Sequence, residues 1–171
     1  MSNINNNKIE KMIGIDINKQ ELYLFQGETL IARYSISTAK NGTGQLNGSE
    51  CTPLGLHCVE SKIGSDAKEN TVFIGRKESG EIFSEELKAN DPERDWILTR
   101  ILWLSGLESG NNRGGEVDTM SRYIYIHGCP DSDSFTQPSS HGCVKMRNKD
   151  IIELFNNVDE GMRVLIHESK D

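Results

Sequence analysis

Alternation of apolar and polar residues constrains this chain more than any other feature. Ile13, Ile15 and Ile17 fall on one face, as do Leu22 and Leu24, and then Leu30, Ala32, Tyr34 and Ile36. A period of two is the mark of half-buried strands, and it excludes an all-helical chain. Gly27–Glu28 stands between two such runs and reads as a hairpin turn. Thr38 to Gly55 carries Gly42, Gly44, Gly48 and Pro53 and is expected to be a loop. Leu56–Ile63, Thr71–Gly75, Asp95–Leu104, Arg122–Ile126 and Arg163–His167 complete the set of predicted strands. Trp, Ile and Thr in Asp95–Leu104 favour strand over helix. One helix is expected, Lys149 to Val158, with an apolar stripe of Ile151, Ile152, Leu154, Phe155 and Val158. Asn148 would be its N-cap and Gly161 its stop.

The fold class expected is therefore mainly β, as a polar segment 1–11 followed by one domain over 12–171. Composition closes off several functions. With 19 Lys and Arg against 26 Asp and Glu, the net charge is -7, which argues against a nucleic-acid surface. No apolar run suits a signal peptide or a membrane span, so a cytoplasmic setting without membrane contact is expected. Four cysteines, Cys51, Cys58, Cys129 and Cys143, are too few for a disulfide scaffold.

The chemistry concentrates between Ile126 and Asn148, where two triplets stand, His127-Gly128-Cys129 and His141-Gly142-Cys143. A cysteine nucleophile needs a base or a lowered pKa, and a nearby imidazole supplies the base. Cys143 also precedes the expected helix, whose N-terminal dipole favours a thiolate. Gly142 lets the backbone approach a substrate, and amides there could hold an oxyanion. The same four side chains, His127, Cys129, His141 and Cys143, also form a legitimate tetrahedral zinc set, although the spacing is tighter than usual. Cys51 and Cys58 are expected in or near the core.

His127-Gly128, followed by Ser140-His141-Gly142-Cys143, Met146 and Asn148, resembles the L,D-transpeptidase (YkuD-like) family. Thr52-Pro53-Leu54-Gly55 is similar to that family's Thr-Pro-x-Gly segment, and the likeness extends from about Ile13 to Ile166. It implies a β-sandwich-like fold and a cofactor-free acyl transfer on peptidoglycan stem peptides. Cys143 would attack the carbonyl of meso-diaminopimelate in a tetrapeptide and expel D-alanine. His127 would be the base, oriented by the carbonyl of Gly128. His141, Gly142 and Cys143 would shape the oxyanion pocket, supported by Ser140. Acylation of Cys143 by carbapenems is implied as well.

Two departures stand out. Lys145 replaces the usual Arg of the motif, and Cys129 replaces a frequent Thr, most simply as a small residue that fits. Lys145, Asn148, Arg100, Arg113 and Arg122 are the candidate contacts for substrate carboxylates, and Ser105–Glu116 is a candidate lid. The acyl-enzyme could be resolved by water, an L,D-carboxypeptidase outcome suited to murein recycling. An amine would instead give a crosslink or an exchanged D-amino acid. A muropeptide is the expected partner.

Overall fold

Eight strands close on themselves. The computed structural model describes residues 9–135 and 137–170, so most of the polar segment 1–11 lies outside the described residues. The chain runs β1 (Lys11–Asp16), β2 (Glu21–Gln26), β3 (Thr29–Ser37), β4 (Gly55–Ile63), β5 (Thr71–Ile74) and β6 (Lys77–Ile82). It continues through α1 (Glu85–Asn90), β7 (Ile97–Gly106), β8 (Tyr125–Gly128), β9 (Val144–Met146), α2 (Asn148–Asn156) and β10 (Arg163–His167). The sheet order is β4-β10-β1-β2-β3-β9-β8-β7, and β7 pairs back onto β4 to complete the ring. The β5–β6 hairpin attaches to the first residues of β7, through Val72 opposite Leu98 and Phe73 opposite Ile97. The mainly β expectation holds, with a continuous closed sheet as its realisation.

Alternation explains which way each strand faces. Ile13 lies between Leu24 and Val164, and Ile15 between Leu22 and Ile166. Across the ring, Ile126 lies between Leu102 and Val144. All of these are buried in one cluster, to which α2 adds Ile151, Leu154 and Phe155 and the turn after it Val158. Each such burial stabilises by about 1.5–3 kcal/mol, so this interior is the main source of stability. The opposite face of β7, β8 and β9 carries His127, paired with Ile101 on one side and Lys145 on the other. A second cluster of Ala67, Phe73, Ile101 and Tyr125 covers part of that face, with Cys143 at its edge.

Several local expectations are corrected. β8 starts at Tyr125 and not at Arg122, because Tyr123 takes φ +56 in a turn closed by its N–H on the carbonyl of Met120. α2 ends at Asn157, whose N–H returns to Leu154 and Phe155, ahead of Gly161. A second helix, the six-residue α1, is capped by Ser84, whose Oγ accepts the N–H of Leu87. It buries no residue, so periodicity had nothing to detect.

Asn148 is not the N-cap of α2; Arg147 holds that position without a side-chain bond. The Asn148 side chain turns inward and is fully buried. Its Oδ1 accepts from Thr99 Oγ1 at 2.5 Å, and its Nδ2 donates to the carbonyl of Cys129 at 2.9 Å and to Asn70 Oδ1 at 3.1 Å. Thr99 sits in a bulge of β7 at φ +73, an unfavourable conformation for a β-branched residue. Its hydroxyl also accepts the N–H of Asn70 at 3.0 Å, so the network holds the bulge in place. Gly128 is the price of that closeness, since a Cβ there would come within 2.6 Å of both Asn148 Oδ1 and the carbonyl of Leu98.

Asn148→Ala strands the Thr99 hydroxyl and the Cys129 carbonyl in a buried place. It is expected to cost about 2–4 kcal/mol in urea denaturation, from ~1–3 kcal/mol per unsatisfied group. A loss below about 0.5 kcal/mol would show that the network carries no stability.

Candidate active site

Parallel pairing of β8 with β9 sets His127 beside Lys145, and Cys143 is the last residue before β9. Its sulfur lies next to the next outward residue of β8, Tyr125, whose N–H donates to Sγ at 3.3 Å. The thiol in turn donates to the carbonyl of Tyr123 at 3.4 Å. His127 is 1% exposed, and its Nδ1 lies 2.6 Å from the carbonyl of Gly128. A carbonyl only accepts, so Nδ1 carries the proton and Nε2 keeps its lone pair. The imidazole is therefore held with an unprotonated Nε2 by the Gly128 carbonyl, the contact that the sequence resemblance implied. Among the described residues no hydrogen bond joins His127 to Cys143.

Burial decides the resting charge state. It holds the His127 imidazole below its ordinary pKa and pushes the Cys143 thiol up to about 12. The Tyr125 N–H, Arg122 and Lys145 pull the thiol back down without reversing the effect. A thiolate favoured by the helix dipole is thus not what the structure shows, since α2 begins only at Asn148 and desolvation outweighs it. Both groups rest neutral.

The turn before Cys143 is fixed from two sides. Ser140 Oγ donates to the carbonyl of Cys143 at 2.5 Å and accepts the N–H of Gly142 at 3.2 Å. Thr52 Oγ1 donates to the carbonyl of Gly142 at 2.9 Å and accepts the N–H of Ala39 at 3.0 Å. The N–H groups of Ser139 and Ser140 both reach the carbonyl of Thr38 at 2.9 Å. Gly142 has φ +133, and a Cβ there would lie 3.0 Å from Ile124 Cδ1 and 3.2 Å from the carbonyl of Cys51. Only glycine suits that position.

The expected substrate cations fare unevenly. Lys145 is 9% exposed and pairs with Asp133 at 2.8 Å, while the other oxygen of Asp133 holds Lys88 at 3.2 Å. Lys145 and the exposed His141 line a cleft of about 270 Å³ together with Lys88, Arg94, Asp95 and Asp133. Arg100 is buried and spends one nitrogen on the carbonyls of Ala67 and Thr99, both at 2.7 Å. Arg122 ties the preceding loop through the carbonyls of Gly44, Gln45 and Cys51. Arg113 is exposed on the Ser105–Glu116 segment. Arg100, Arg122 and Asn148 thus spend donors inside the fold, unlike the substrate contacts that the sequence suggested. The same segment is anchored by the buried Asn112, which donates to the carbonyls of Leu54 and Leu56.

All four cysteines are free thiols. Cys129 is fully buried and donates to the carbonyl of Met146 at 3.4 Å, consistent with a small residue that fits. Cys51 and Cys58 are only partly buried, outside the core clusters. Among the described residues no group of three or more His, Cys, Asp or Glu is placed to hold a metal, so the zinc alternative has no ligand set there. A larger cavity, about 470 Å³ against β1 and β10, shares no residue with the site. Sequence reasoning missed Asp133 and the aromatic side of the thiol, Trp103, Tyr123 and Tyr125, which no motif marks.

A family model described as the YkuD L,D-transpeptidase catalytic domain matches residues 10–166. The chain belongs to that family. No curated protein sequence matches it. Its fold is similar to the L,D-transpeptidase of Xylanimonas cellulosilytica, with TM-score 0.53 and 18% identity over 98% of this chain and 65% of that one. It is also similar to an L,D-transpeptidase from Mycobacterium smegmatis, with TM-score 0.55 and 15% identity over 92% and 58%. The enzyme of Enterococcus faecium gives TM-score 0.56 and 15% identity over 92% and 50%. At these identities the likeness is one of fold, and the chain spans between half and two thirds of these structures.

A neutral resting thiol has a direct readout. The rate of Cys143 alkylation by iodoacetamide, followed by peptide mass spectrometry, is expected to keep rising beyond pH 9. A plateau near pH 7 would mean a thiolate already formed in the free protein.

Proposed function

We propose that this domain transfers acyl groups of peptidoglycan stem peptides through Cys143. The observation that carries the reading is the shared outward face of β8 and β9. It presents the Cys143 sulfur under the Tyr125 N–H and an imidazole whose Nδ1 is held by the Gly128 carbonyl. His127 Nε2 takes the thiol proton as sulfur attacks the carbonyl of the L-centre of meso-diaminopimelate. Starting from two neutral groups, the ion pair forms only as the new bond does. The tetrahedral oxyanion is met by the amide of Cys143 in the turn that Ser140 and Thr52 hold rigid. His127 then returns the proton to the departing amine of D-alanine, leaving a thioester on Cys143.

The outcome we favour is release by water, giving a tripeptide. A cleft of about 270 Å³, below the ~300–1,000 Å³ usual for ligand sites, adjoins the reacting pair through His141 and Lys145, the sequence neighbours or strand partners of Cys143 and His127. Lys88, Arg94 and Lys145 alternate there with Asp95 and Asp133, a mixed lining that fits a zwitterionic diaminopimelate. In this reading the enzyme is an L,D-carboxypeptidase of murein recycling that meets soluble muropeptides in the cytoplasm. Transpeptidation or D-amino-acid exchange would use the same residues with an amine as acceptor. Among the described residues no helix is long and apolar enough to cross a membrane.

Purified protein incubated with disaccharide tetrapeptide, with and without a D-amino acid, is expected to yield tripeptide and D-alanine by mass spectrometry. Exchanged or dimeric products would replace water by an amine as acceptor. Cys143→Ala should lower turnover by about 10³-fold or more, as loss of a nucleophile does. Surviving activity would remove Cys143 from the reaction. An L,D-transpeptidase of similar fold is solved in complex with imipenem, a carbapenem. A carbapenem is accordingly expected to shift the intact mass of this protein, and not of Cys143→Ala.

A further inference from the structure

The hairpin between β5 and β6 turns on two residues, Gly75 at φ +54 and Arg76 at φ +66, between paired Ile74 and Lys77. Such a turn needs positive φ at both centres and strongly favours glycine at the second. Arginine there is strained, and strain kept in place at the edge of a site points to a role. Its guanidinium lies 4.7 Å from the Trp103 ring centre and 4.9 Å from that of Tyr123, and one nitrogen donates to the Tyr125 hydroxyl at 3.0 Å. Tyr125 and Tyr123 are the two residues whose backbone holds the Cys143 sulfur. The cation therefore packs on the two tyrosines whose backbone holds the thiol.

Stacking on aromatic rings uses the flat face of a guanidinium and leaves its in-plane donors available. Among the described residues no carboxylate pairs with Arg76, whereas Lys145 is neutralised by Asp133 and Arg100 and Arg122 are engaged by carbonyls. A rigid, planar, unneutralised cation packed on the residues that hold the thiol is built to take a carboxylate in a forked contact. Resting on the acyl-transfer reading above, we propose that Arg76 is the carboxylate-recognition residue of this site. Its ligand is a carboxylate of the stem peptide, either the C-terminal one of D-alanine or the side-chain one of diaminopimelate.

The test measures KM and kcat for three tetrapeptides: the free acid, the C-terminal amide and the diaminopimelate side-chain amide. Arg76→Gly installs the residue that the turn prefers, so the hairpin is retained, and Arg76→Lys keeps charge without the planar fork. In the wild type, one amide is expected to raise KM by about 10- to 100-fold, the worth of a charge-assisted hydrogen bond. That amide identifies the carboxylate. Arg76→Gly should raise KM for the free acid by a similar factor and lose the discrimination between acid and amide, with Arg76→Lys in between. An active wild type indifferent to both amides, or an Arg76→Gly variant that still discriminates, overturns the assignment of Arg76 alone. A wild type inactive on all three overturns the acyl-transfer reading and this proposal with it.

Discussion

The site depends on one pairing, the three-residue parallel ladder of β8 and β9. Parallel strands cannot be joined by a tight hairpin, so the chain must leave β8 after Gly128 and return at Val144 by a longer crossover. That crossover supplies Asp133, which pairs Lys145, and the Ser140–Gly142 turn that presents Cys143. Register is the critical variable. A slip of one residue would send Cys143 and Lys145 to the interior and expose Val144 and Met146. Both of those are fully buried in the ring, so the hydrophobic effect that fills the core also places Cys143 on the outer face that carries His127. Stability and geometry at the site are specified by the same alternating pattern.

Electrostatics around this ladder is arranged to keep the resting site neutral. Lys145 and Lys88 share Asp133, and Arg122 is tied to main-chain carbonyls while still close enough to lower the thiol pKa slightly. Against these, desolvation dominates and keeps sulfur protonated and imidazole uncharged. In the proposed acyl transfer, charge would develop only in the transition state, against donors already fixed in place.

Much of this was legible in sequence, and the limits have physical causes. Period two found the strands, since inward and outward positions must alternate, and Gly27 at φ +60 marks the turn expected there. The His-Gly and Ser-His-Gly-Cys motifs led to the family, because backbone-constrained glycines next to a nucleophile leave little freedom in spacing. Ring closure through β4 and β7 was not visible, as pairing between distant strands leaves no local trace. The arginines were misread for a related reason. Whether a guanidinium meets a ligand or a carbonyl depends on bulges and loop paths, and Arg100 follows a bulge at Thr99 that no pattern announces. Asn148 looked like a cap because it stands where a cap would, yet buried partners outcompeted the helix end for its amide.

The distribution of backbone strain draws these threads together. Six non-glycine residues among those described have positive φ: Gln20, Glu50, Asn70, Arg76, Thr99 and Tyr123. The last four gather around β7 and β8, two on each flank of the reacting pair. Asn70 and Thr99 are joined by hydrogen bonds to Asn148, and so to the strand end carrying His127. Arg76 stacks on Tyr123, whose carbonyl holds the Cys143 thiol. In each case a left-handed conformation that costs about 1 kcal/mol or more is offset by a contact leading to the base or the nucleophile. Glycine at Asn70, Arg76 or Thr99 would relax the backbone but delete the side chain that makes the contact, whereas Tyr123 reaches the thiol through its carbonyl. A chain shaped by folding alone would have no reason to concentrate such residues here, whereas one that must hold an imidazole and a thiol at fixed places on an outer face does.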